Sequence, residues 1–524
     1  MATVEHTETD LTVAMITEPA QLVDWLVIAP VALPLILGAA LLMARRRTAA
    51  QPVLAIASLA VLFAADIGLL WHVLANGPAV MTMGRWLPPF GISFVADALG
   101  ATLVATAGLV SLVCGFFSIN SVNFIGQRYG FYPFLLLMMA GVNGSFLTGD
   151  IFNLYVWFEV FLIASFGLII LGSGQRQIDG ATKYAILNLV ATTLFLIATG
   201  YLYGIFGTLN MADIARKAPE LRSTAPLMTL ATLYLVAFGM KAAAFPLNFW
   251  LPASYHTPRI VVAALFAGLL TKVGVYALLR TLVMLFPPER SVLSTLIIWL
   301  AIATMLVGIL GALAQSDIRR MLGFVVVSGI GFMLAGLGLG DPIGIAGTVV
   351  YAVHSMLVMT ALYLLAGLMR RAGGSYTLNR LTGLYRSHPL MAGATLLLVF
   401  AAAGLPPGSG LWPKVMLVQA SLGAGVWWLA LAILVTGLLT TLALGRVFVL
   451  AFWRMPEEKS GEAATIESQD VGRGTYLAVL VLCVPIALIG VWPEPLIGVA
   501  QQAAAGLLDP GSYVGAVFPL ETTQ

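Results

Sequence analysis

The sequence predicts an all-α, polytopic membrane protein of about 14 transmembrane helices, and three observations lead to this class. Hydrophobic residues make up 60% of the 524 positions and charged residues only 9%, whereas about 25% of a typical soluble domain is charged. Apolar stretches of about 20 residues, long enough to span a bilayer as a helix, recur along most of the chain. Polar or Pro- and Gly-containing segments separate them, as expected for loops between helices.

Each apolar stretch predicts one helix, and the intervening segments set its ends. The predicted helices are 25–44, 52–75, 93–117, 131–148, 151–172, 180–207, 226–250, 259–285, 292–314, 320–339, 343–369, 388–420, 425–453 and 475–499. The resulting units are a polar segment 1–24, helices 1–3 within 25–130, a first repeat 131–285, a second repeat 292–453, a polar loop 455–474, helix 14 at 475–499 and a tail 500–524.

Charge in the loops predicts the orientation of the chain. Fifteen Lys and Arg residues fall in the loops that follow odd-numbered predicted helices, and five fall in the loops that follow even-numbered ones. Because cytoplasmic loops carry the excess of Lys and Arg, the first set is predicted to be cytoplasmic. Both termini are then predicted to lie outside, in a multi-pass protein of a bacterial cell (inner) membrane.

Composition argues against several other classes of protein. The net charge of +3 is too small to suggest nucleic-acid binding. Both cysteines, Cys114 and Cys483, lie within apolar stretches, which supports neither a disulfide framework nor a metal site. Residues 1–24 are acidic and do not resemble a cleaved signal peptide. No cofactor is expected.

Lysines inside two predicted helices are the first candidates for function. Lys241 and Lys272 are flanked by apolar residues, and a charged lysine at the bilayer centre costs at least about 2.5 to 3.5 kcal/mol. Pro246 follows Lys241, so the seventh helix is predicted to be broken near its lysine. The twelfth helix repeats this pattern, with Pro406 and Pro407 shortly before Lys414. Snorkelling of these amines to an interface is the alternative interpretation.

Two further ionisable residues lie within predicted helices. Glu159, in the fifth helix, is either a neutral, hydrogen-bonded carboxyl or a partner that changes the proton affinity of Lys241. His354, in the eleventh helix, is either structural or a proton relay between the lysine-bearing halves, since a histidine titrates near neutral pH. Asp317 is expected to cap a helix. Three other basic residues in helices lie near helix ends, where snorkelling is the simpler interpretation: Lys183, Arg280 and Arg446.

The seventh and twelfth helices each combine a lysine with a proline break, and they are five helices apart. Helices 4–8 and 9–13 could therefore be two related units. An odd offset places such units in opposite orientations, which is the inverted-repeat arrangement of many transporters. Two proline-broken helices could also arise without duplication.

Several segments together resemble one family, the antiporter-like subunits shared by respiratory complex I and the Mrp-type multisubunit Na⁺/H⁺ antiporters. The resemblance covers roughly residues 90–455 and lies in FEVFLIASF (Glu159), MKAAAFPLNFWLPASYHTP (Lys241), LLTKVGVYALLR (Lys272), SDIRRMLGFVVVSGIGFMLAGL, the helix containing His354, and GLPPGSGLWPK (Lys414). It implies a fold of fourteen helices with a polar axis at mid-membrane. Glu159 and Lys241 would open one half-channel, Lys272 would link the halves, and Lys414 would end the other.

Within this family the D-type subunits of Mrp antiporters are the most similar, because the sequence ends after the fourteenth predicted helix. One position departs from the family pattern. Many members carry a lysine four residues after the histidine of the eleventh helix, and here that position is Val358. The histidine that complex I members often carry early in the eighth helix is also absent.

The leading hypothesis is a proton-translocating subunit of a cation/proton antiporter, driven by the proton-motive force and acting in a hetero-oligomer. Because hard cations prefer several oxygen ligands, Na⁺ is expected to cross elsewhere. The alternative is a proton-pumping subunit of a complex I-like or hydrogenase-like redox complex. A structural membrane scaffold is the third hypothesis. The leading hypothesis predicts a secondary-transporter subunit and not an enzyme, whereas membership of a redox-driven complex would leave the enzyme question open.

Overall fold

The computed structural model describes residues 15–16, 19–455 and 472–519. In chain order its α-helices are α1 (Leu22–Met43), α2 (Gln51–Asn76), α3 (Ala98–Ser121), α4 (Phe124–Arg128), α5 (Phe131–Leu147), α6 (Ile151–Ile169), α7 (Gln175–Phe206), α8 (Met211–Leu221), α9 (Leu227–Ala242), α10 (Trp250–Ser254), α11 (Ile260–Leu278), α12 (Pro287–Leu313), α13 (Ile318–Leu339), α14 (Pro342–Gly373), α15 (Leu384–Ser387), α16 (Pro389–Ala403), α17 (Leu411–Gly423), α18 (Trp427–Phe448), α19 (Arg473–Val491), α20 (Glu494–Leu508) and α21 (Gly511–Val517).

The predicted class is correct, because the described chain is dominated by apolar helices. Eleven of them are long and apolar enough to cross a membrane, and three shorter apolar helices accompany them: Phe131–Leu147, Leu227–Ala242 and Pro389–Ala403. Two of these three, Leu227–Ala242 and Pro389–Ala403, end where the helix is interrupted, and a separate helix follows each interruption. For this reason they are shorter than a full span.

A small antiparallel sheet was not predicted. Strand β1 (Ala79–Thr82) pairs with β2 (Ser93–Ala96), with Ala79 opposite Ala96. The predicted third helix, 93–117, is therefore wrong at its start, since the helix begins at Ala98 and Asp97 caps it through a hydrogen bond from the amide of Gly100. The apolar character of 93–96 suits a buried strand as well as a helix, and composition alone does not separate the two.

The fourteenth predicted helix, 475–499, is also wrong in its extent. Helix α19 ends at Val491 and α20 begins at Glu494, with Pro493 between them, because proline removes the backbone donor that a continuous helix needs. Helix α8, between the sixth and seventh predicted helices, was missed. The predictions for 1–14, 17–18, 456–471 and 520–524, which include most of the polar N-terminal segment and of the loop 455–474, lie outside the described residues.

Both predicted helix breaks are present. Helix α9 ends at Ala242, earlier than the predicted end at 250, and Ala243 adopts a left-handed conformation, so Lys241 lies in the last turn of the helix. Pro246 lies in the segment that leads to α10. Helix α16 ends at Ala403, and Gly404 again takes the left-handed conformation that glycine adopts at low cost. Pro406 and Pro407 follow it before α17.

Two features recur at an offset of five predicted helices. An aspartate caps α6 and another caps α13, and each also forms an isolated β-bridge, Asp150 with Asn210 and Asp317 with Thr377. The predicted cap at Asp317 is therefore confirmed. Helices α11 and α18 both continue into a π-helical segment, Leu279–Leu285 and Val449–Trp453. These parallels support the two-repeat interpretation.

One row of packed helices connects the lysine-bearing elements. Helix α6 packs on α7, α7 on α9, α9 on α11, α11 on α14, and α14 on α17. Glycine allows two of these contacts to be close. A methyl group at Gly274 would lie 2.7 Å from the backbone nitrogen of Ala242, and one at Gly268 would collide with the hydroxyl of Thr360.

Candidate functional site

Lys241 lies at the first helix break and is buried, with 4% of its surface exposed. Its amine donates a hydrogen bond of 2.6 Å to Oγ1 of Thr192 on α7 and lies 5.2 Å from the centroid of the Phe158 ring. A hydroxyl and an aromatic face can solvate an ammonium only in part. This amine is therefore held by neutral groups, away from both ends of α7.

Glu159 follows Phe158 on α6 and forms no ion pair with Lys241 within 4.0 Å among the described residues. It is close enough to act on the amine electrostatically. The side chain is partly exposed, and its buried Oε1 accepts no hydrogen bond in the described structure. The two predicted partners are therefore neighbours on α6 and α9 that form no direct ion pair in the described structure.

Lys272 lies in the middle of α11 and is 1% exposed. Its amine donates a hydrogen bond of 2.6 Å to the backbone carbonyl of Ala267 on the same helix. Helix α11 is covered on nearly every side, since all its residues after Ile260 are buried. Snorkelling to an interface is excluded for this lysine, because its amine turns back to its own helix.

His354 lies on α14, directly against the second helix break. Its Nδ1 is 2.8 Å from Oγ of Ser409, and a methyl group added to Gly410 would lie 2.8 Å from its Cε1. The ring of Tyr351 packs edge-on at 5.4 Å. Both Lys272 and Lys414 act electrostatically on this ring, so the histidine lies near both lysines.

Lys414 lies in the first turn of α17, directly after the second break, and is buried. Its amine donates hydrogen bonds of 2.6 Å and 3.1 Å to the carbonyls of Ala403 and Ala402 at the end of α16. These carbonyls are the negative end of a helix dipole, which stabilises a cation. The lysine also lines a mostly apolar cavity of about 720 Å³ between α17 and α18.

The three amines share one electrostatic feature. Each is nearly fully buried, and each is hydrogen-bonded to carbonyl or hydroxyl oxygen and not to a carboxylate of the described chain. An ammonium group without a counter-charge in a medium of low dielectric is strongly disfavoured. Such amines can release and regain a proton when a nearby charge changes, and this is the chemistry that a proton relay requires.

Sequence reasoning missed the residues that hold these groups. Thr192 and Ser409 are 49 and 55 positions from their partners, and no local pattern marks either one. It also misjudged Arg280, which is completely buried and paired with Asp97 at 2.6 Å. Arg446 donates to the carbonyl of Leu313 at the end of α12, a contact that the sequence did not predict.

A row of broken and continuous apolar helices, with buried amines along it, defines a polytopic membrane protein of the antiporter-like class. Residues 148–440 match the family described as NADH:quinone oxidoreductase/Mrp antiporter, transmembrane region. The chain belongs to this family.

Similar proteins agree in length as well as in sequence. The D subunit of the Na⁺/H⁺ antiporter of Alkalihalophilus pseudofirmus is 40% identical over 494 residues, which is 94% of this chain and 99% of the relative. A chain of the Mrp complex of Dietzia sp. DQ12-45-1b superposes with a TM-score of 0.88 at 30% identity, covering 95% of this chain and all of that one. A chain of respiratory complex I from Thermus thermophilus reaches 0.78 at 25% identity, with 92% and 99% covered.

Proposed function

We propose that this protein is the D-type subunit of an Mrp-type Na⁺/H⁺ antiporter and that it carries protons through Glu159, Lys241, Lys272, His354 and Lys414. The supporting relatives are named as D subunits of Na⁺/H⁺ antiporters, and the superposed chain belongs to an Mrp complex. The protein then works in a hetero-oligomer, uses the proton-motive force and needs no cofactor.

The observation that carries the proposal is the row of packed helices. Glu159, Lys241, Lys272, His354 and Lys414 lie in this order on α6, α9, α11, α14 and α17. Helix α9 packs on α11, α11 on α14 and α14 on α17, while α7 connects α6 to α9. Buried ionisable groups that follow one another across a membrane protein are typical of proton pathways. A change of charge at one position alters the proton affinity of the next.

The lateral position of Glu159 suits an entry role. Its carboxyl is the member of the series with a partly exposed side chain, so it lies nearer the surface of the chain than the amines do. The proton then passes to Lys241, which is bound to Thr192 and not to a carboxylate of the described chain. With both termini outside, as the loop charges predict, the break after α9 lies nearer the cytoplasmic side.

Sodium is proposed to cross in another part of the complex. Hard cations bind through several oxygen ligands, whereas four of the five proposed positions are nitrogen bases. No group of three or more His, Cys, Asp or Glu side chains that could hold a metal ion occurs among the residues described. Mutations in this chain alone that altered cation selectivity would contradict this part of the proposal.

The test uses inverted membrane vesicles that contain the complete complex and a pH-sensitive dye. After energisation, adding Na⁺ should collapse the proton gradient in vesicles with the wild-type chain. Lys241→Ala should reduce this response at least about tenfold while the complex still assembles. Lys183→Ala is the matched control, because Lys183 is an exposed lysine paired with Asp179 one turn away. Full activity of the Lys241→Ala complex would refute the proposed pathway.

A proton-pumping subunit of a redox complex is the second candidate, and the similarity to a chain of complex I favours it. The two candidates differ in their partners. Iron–sulfur subunits that copurify with this chain would support the redox complex, whereas small membrane subunits without cofactors would support the antiporter.

A further inference from the structure

A cavity lined by arginines lies outside the proposed proton pathway. It occupies about 430 Å³ where the end of α3, the start of α11 and the end of α14 meet, and its charged lining residues are Arg259, Arg370 and Arg371. No carboxylate of the described chain lines it. Three guanidinium groups around one cavity repel one another, and a bound anion would offset this repulsion.

Two of the arginines are held in place by neutral partners. Arg259 donates a hydrogen bond of 2.7 Å to Oδ1 of Asn123, and Arg371 donates to the carbonyl of Asn120. Arg370 lies over the ring of Tyr376, 5.0 Å from its centroid. A guanidinium group has five N–H donors, so these contacts orient each side chain and leave several donors for a ligand.

A second observation points to the same kind of ligand. The hydroxyl of Ser121 lines the cavity, is buried, and has no hydrogen-bond partner in the described part of the chain. A buried hydroxyl without a partner is uncommon in folded proteins. A phosphate oxygen would accept from this hydroxyl as well as from the arginines.

The surroundings indicate a lipid rather than a free ion. Ile260 and Gly367 form an apolar wall of the cavity, and the neighbouring helix α4 exposes Phe124 and Ile125 by 59% and 54%. The loop charges predict that this side of the protein faces the cytoplasmic leaflet, where anionic lipids bind basic pockets between helices.

We propose that this cavity binds the phosphodiester headgroup of an anionic phospholipid, held by Arg259, Arg370, Arg371 and Ser121. A second cavity nearby, of about 480 Å³, is lined by Arg45, Arg46 and Arg128 together with the exposed residues of α4. The corner between α3 and α5 is therefore basic on both sides. Neither cavity contains a residue of the proposed proton pathway, so the proposed lipid site does not depend on that pathway.

Native mass spectrometry of the purified full-length chain, stripped of lipid and titrated with phosphatidylglycerol, tests the site. The wild type should retain phosphatidylglycerol, and phosphatidylcholine should bind much more weakly. The double variant Arg259→Gln/Arg370→Gln should bind phosphatidylglycerol about tenfold more weakly, because charge-assisted hydrogen bonds to phosphate are lost. Arg371 is left unchanged in this variant because its bond to Asn120 joins α14 to α3.

Two controls keep the result interpretable. Arg386→Gln removes an exposed arginine elsewhere and should bind like the wild type. Arg259→Lys/Arg370→Lys retains both positive charges and should recover part of the affinity, which a double Gln variant that is merely less stable would not explain. Equal binding by the wild type and the double Gln variant would overturn the proposal. So would displacement of the lipid by inorganic phosphate at similar concentration, or an acidic side chain of a partner subunit in the cavity of the assembled complex.

Discussion

Arg280 donates a hydrogen bond of 2.6 Å to Oδ1 of Asp97, and both side chains are buried. The pair joins the π-helical segment after α11 to the residue that caps α3, and Nε of Arg280 also donates to the hydroxyl of Tyr276. Removing one member of a buried pair leaves the other charge uncompensated and costs about 3–5 kcal/mol. Arg280→Met should therefore lower the melting temperature of the purified protein strongly.

The double variant Asp97→Asn/Arg280→Met serves as the control for this pair. Asparagine retains an oxygen that can cap α3, while both charges are gone. The double variant should be more stable than Arg280→Met alone. If the two substitutions destabilise additively, the residues do not act as a pair.

Thr192 should affect transport through its contact with Lys241. Thr192→Val removes the hydroxyl that accepts the hydrogen bond from the amine, and a bond to a charged group contributes about 1.5–3 kcal/mol. Proton transport measured with a pH dye in vesicles should change by about tenfold or more. The neighbouring Thr193 is exposed and bonds only to its own helix, so Thr193→Val should behave like the wild type. If Thr192→Val and Thr193→Val changed transport equally, the contact between Thr192 and Lys241 would not be needed for transport.

Gly410 should tolerate no side chain, because the helix break packs directly against His354. A methyl group there would collide with the carbonyl of Ala401 and lie 2.8 Å from Cε1 of the histidine. Gly410→Ala should therefore reduce both thermal stability and proton transport. A methyl group at Gly423, at the other end of α17, would have no atom of the described residues within 4 Å. Gly423→Ala should leave both measurements nearly unchanged, and a neutral Gly410→Ala would contradict the described packing.

Asp66 is a fully buried carboxyl on α2, and neither of its oxygens has a hydrogen-bond partner among the described residues. It occupies the space that Gly108 on α3 leaves open, so a methyl group at Gly108 would collide with it. Replacing an unsatisfied buried polar group by an apolar one is neutral or stabilising. Asp66→Leu should therefore preserve or raise the melting temperature.

Gly108→Ala provides the matching test of that contact. It should destabilise the wild type and have a smaller effect in an Asp66→Ala background, where the space is vacant. Thermal melts of the wild type, Gly108→Ala, Asp66→Ala and the double variant give the coupling energy between the two positions. A Gly108→Ala penalty of the same size in both backgrounds would show that Asp66 is not the obstacle.

Asp150 should make stability depend on pH. Burial raises its pKa to about 6, although the amides of Asn153 and Phe152 oppose the shift. Between about pH 4 and 6 the folded protein then binds more protons than the unfolded chain, so its stability falls as the pH rises through this window. Each pKa unit corresponds to about 1.4 kcal/mol, so the full effect is about 3 kcal/mol.

The comparison for this residue is Asp150→Asn, which keeps an oxygen to cap α6 but does not titrate. Melting temperatures measured from about pH 4 to pH 7 should fall with pH for the wild type more steeply than for the variant. Identical pH profiles would contradict the assignment of this titration to Asp150.

The sequence allowed the lysines to be chosen but not their environments. Lys272 is recognisable because a charge in a long apolar stretch is costly wherever the helix packs. Asp66 is also an ionisable residue within an apolar stretch, but it was not among the predicted candidates. The role of Arg280 was not readable, since its partner Asp97 is 183 positions away. The strands β1 and β2 were missed because short apolar segments suit strands and helices equally.

By itself, the sequence determined that this is a polytopic helical membrane protein, where most of its helices lie, and that two of them break beside a lysine. These properties depend on composition and on neighbouring residues, because a bilayer requires each spanning segment to satisfy its own backbone. Only the tertiary structure decided that Thr192 holds Lys241, that Ser409 meets His354, and that three arginines surround one cavity. Those contacts join distant parts of the chain, and they form only when helices pack side by side.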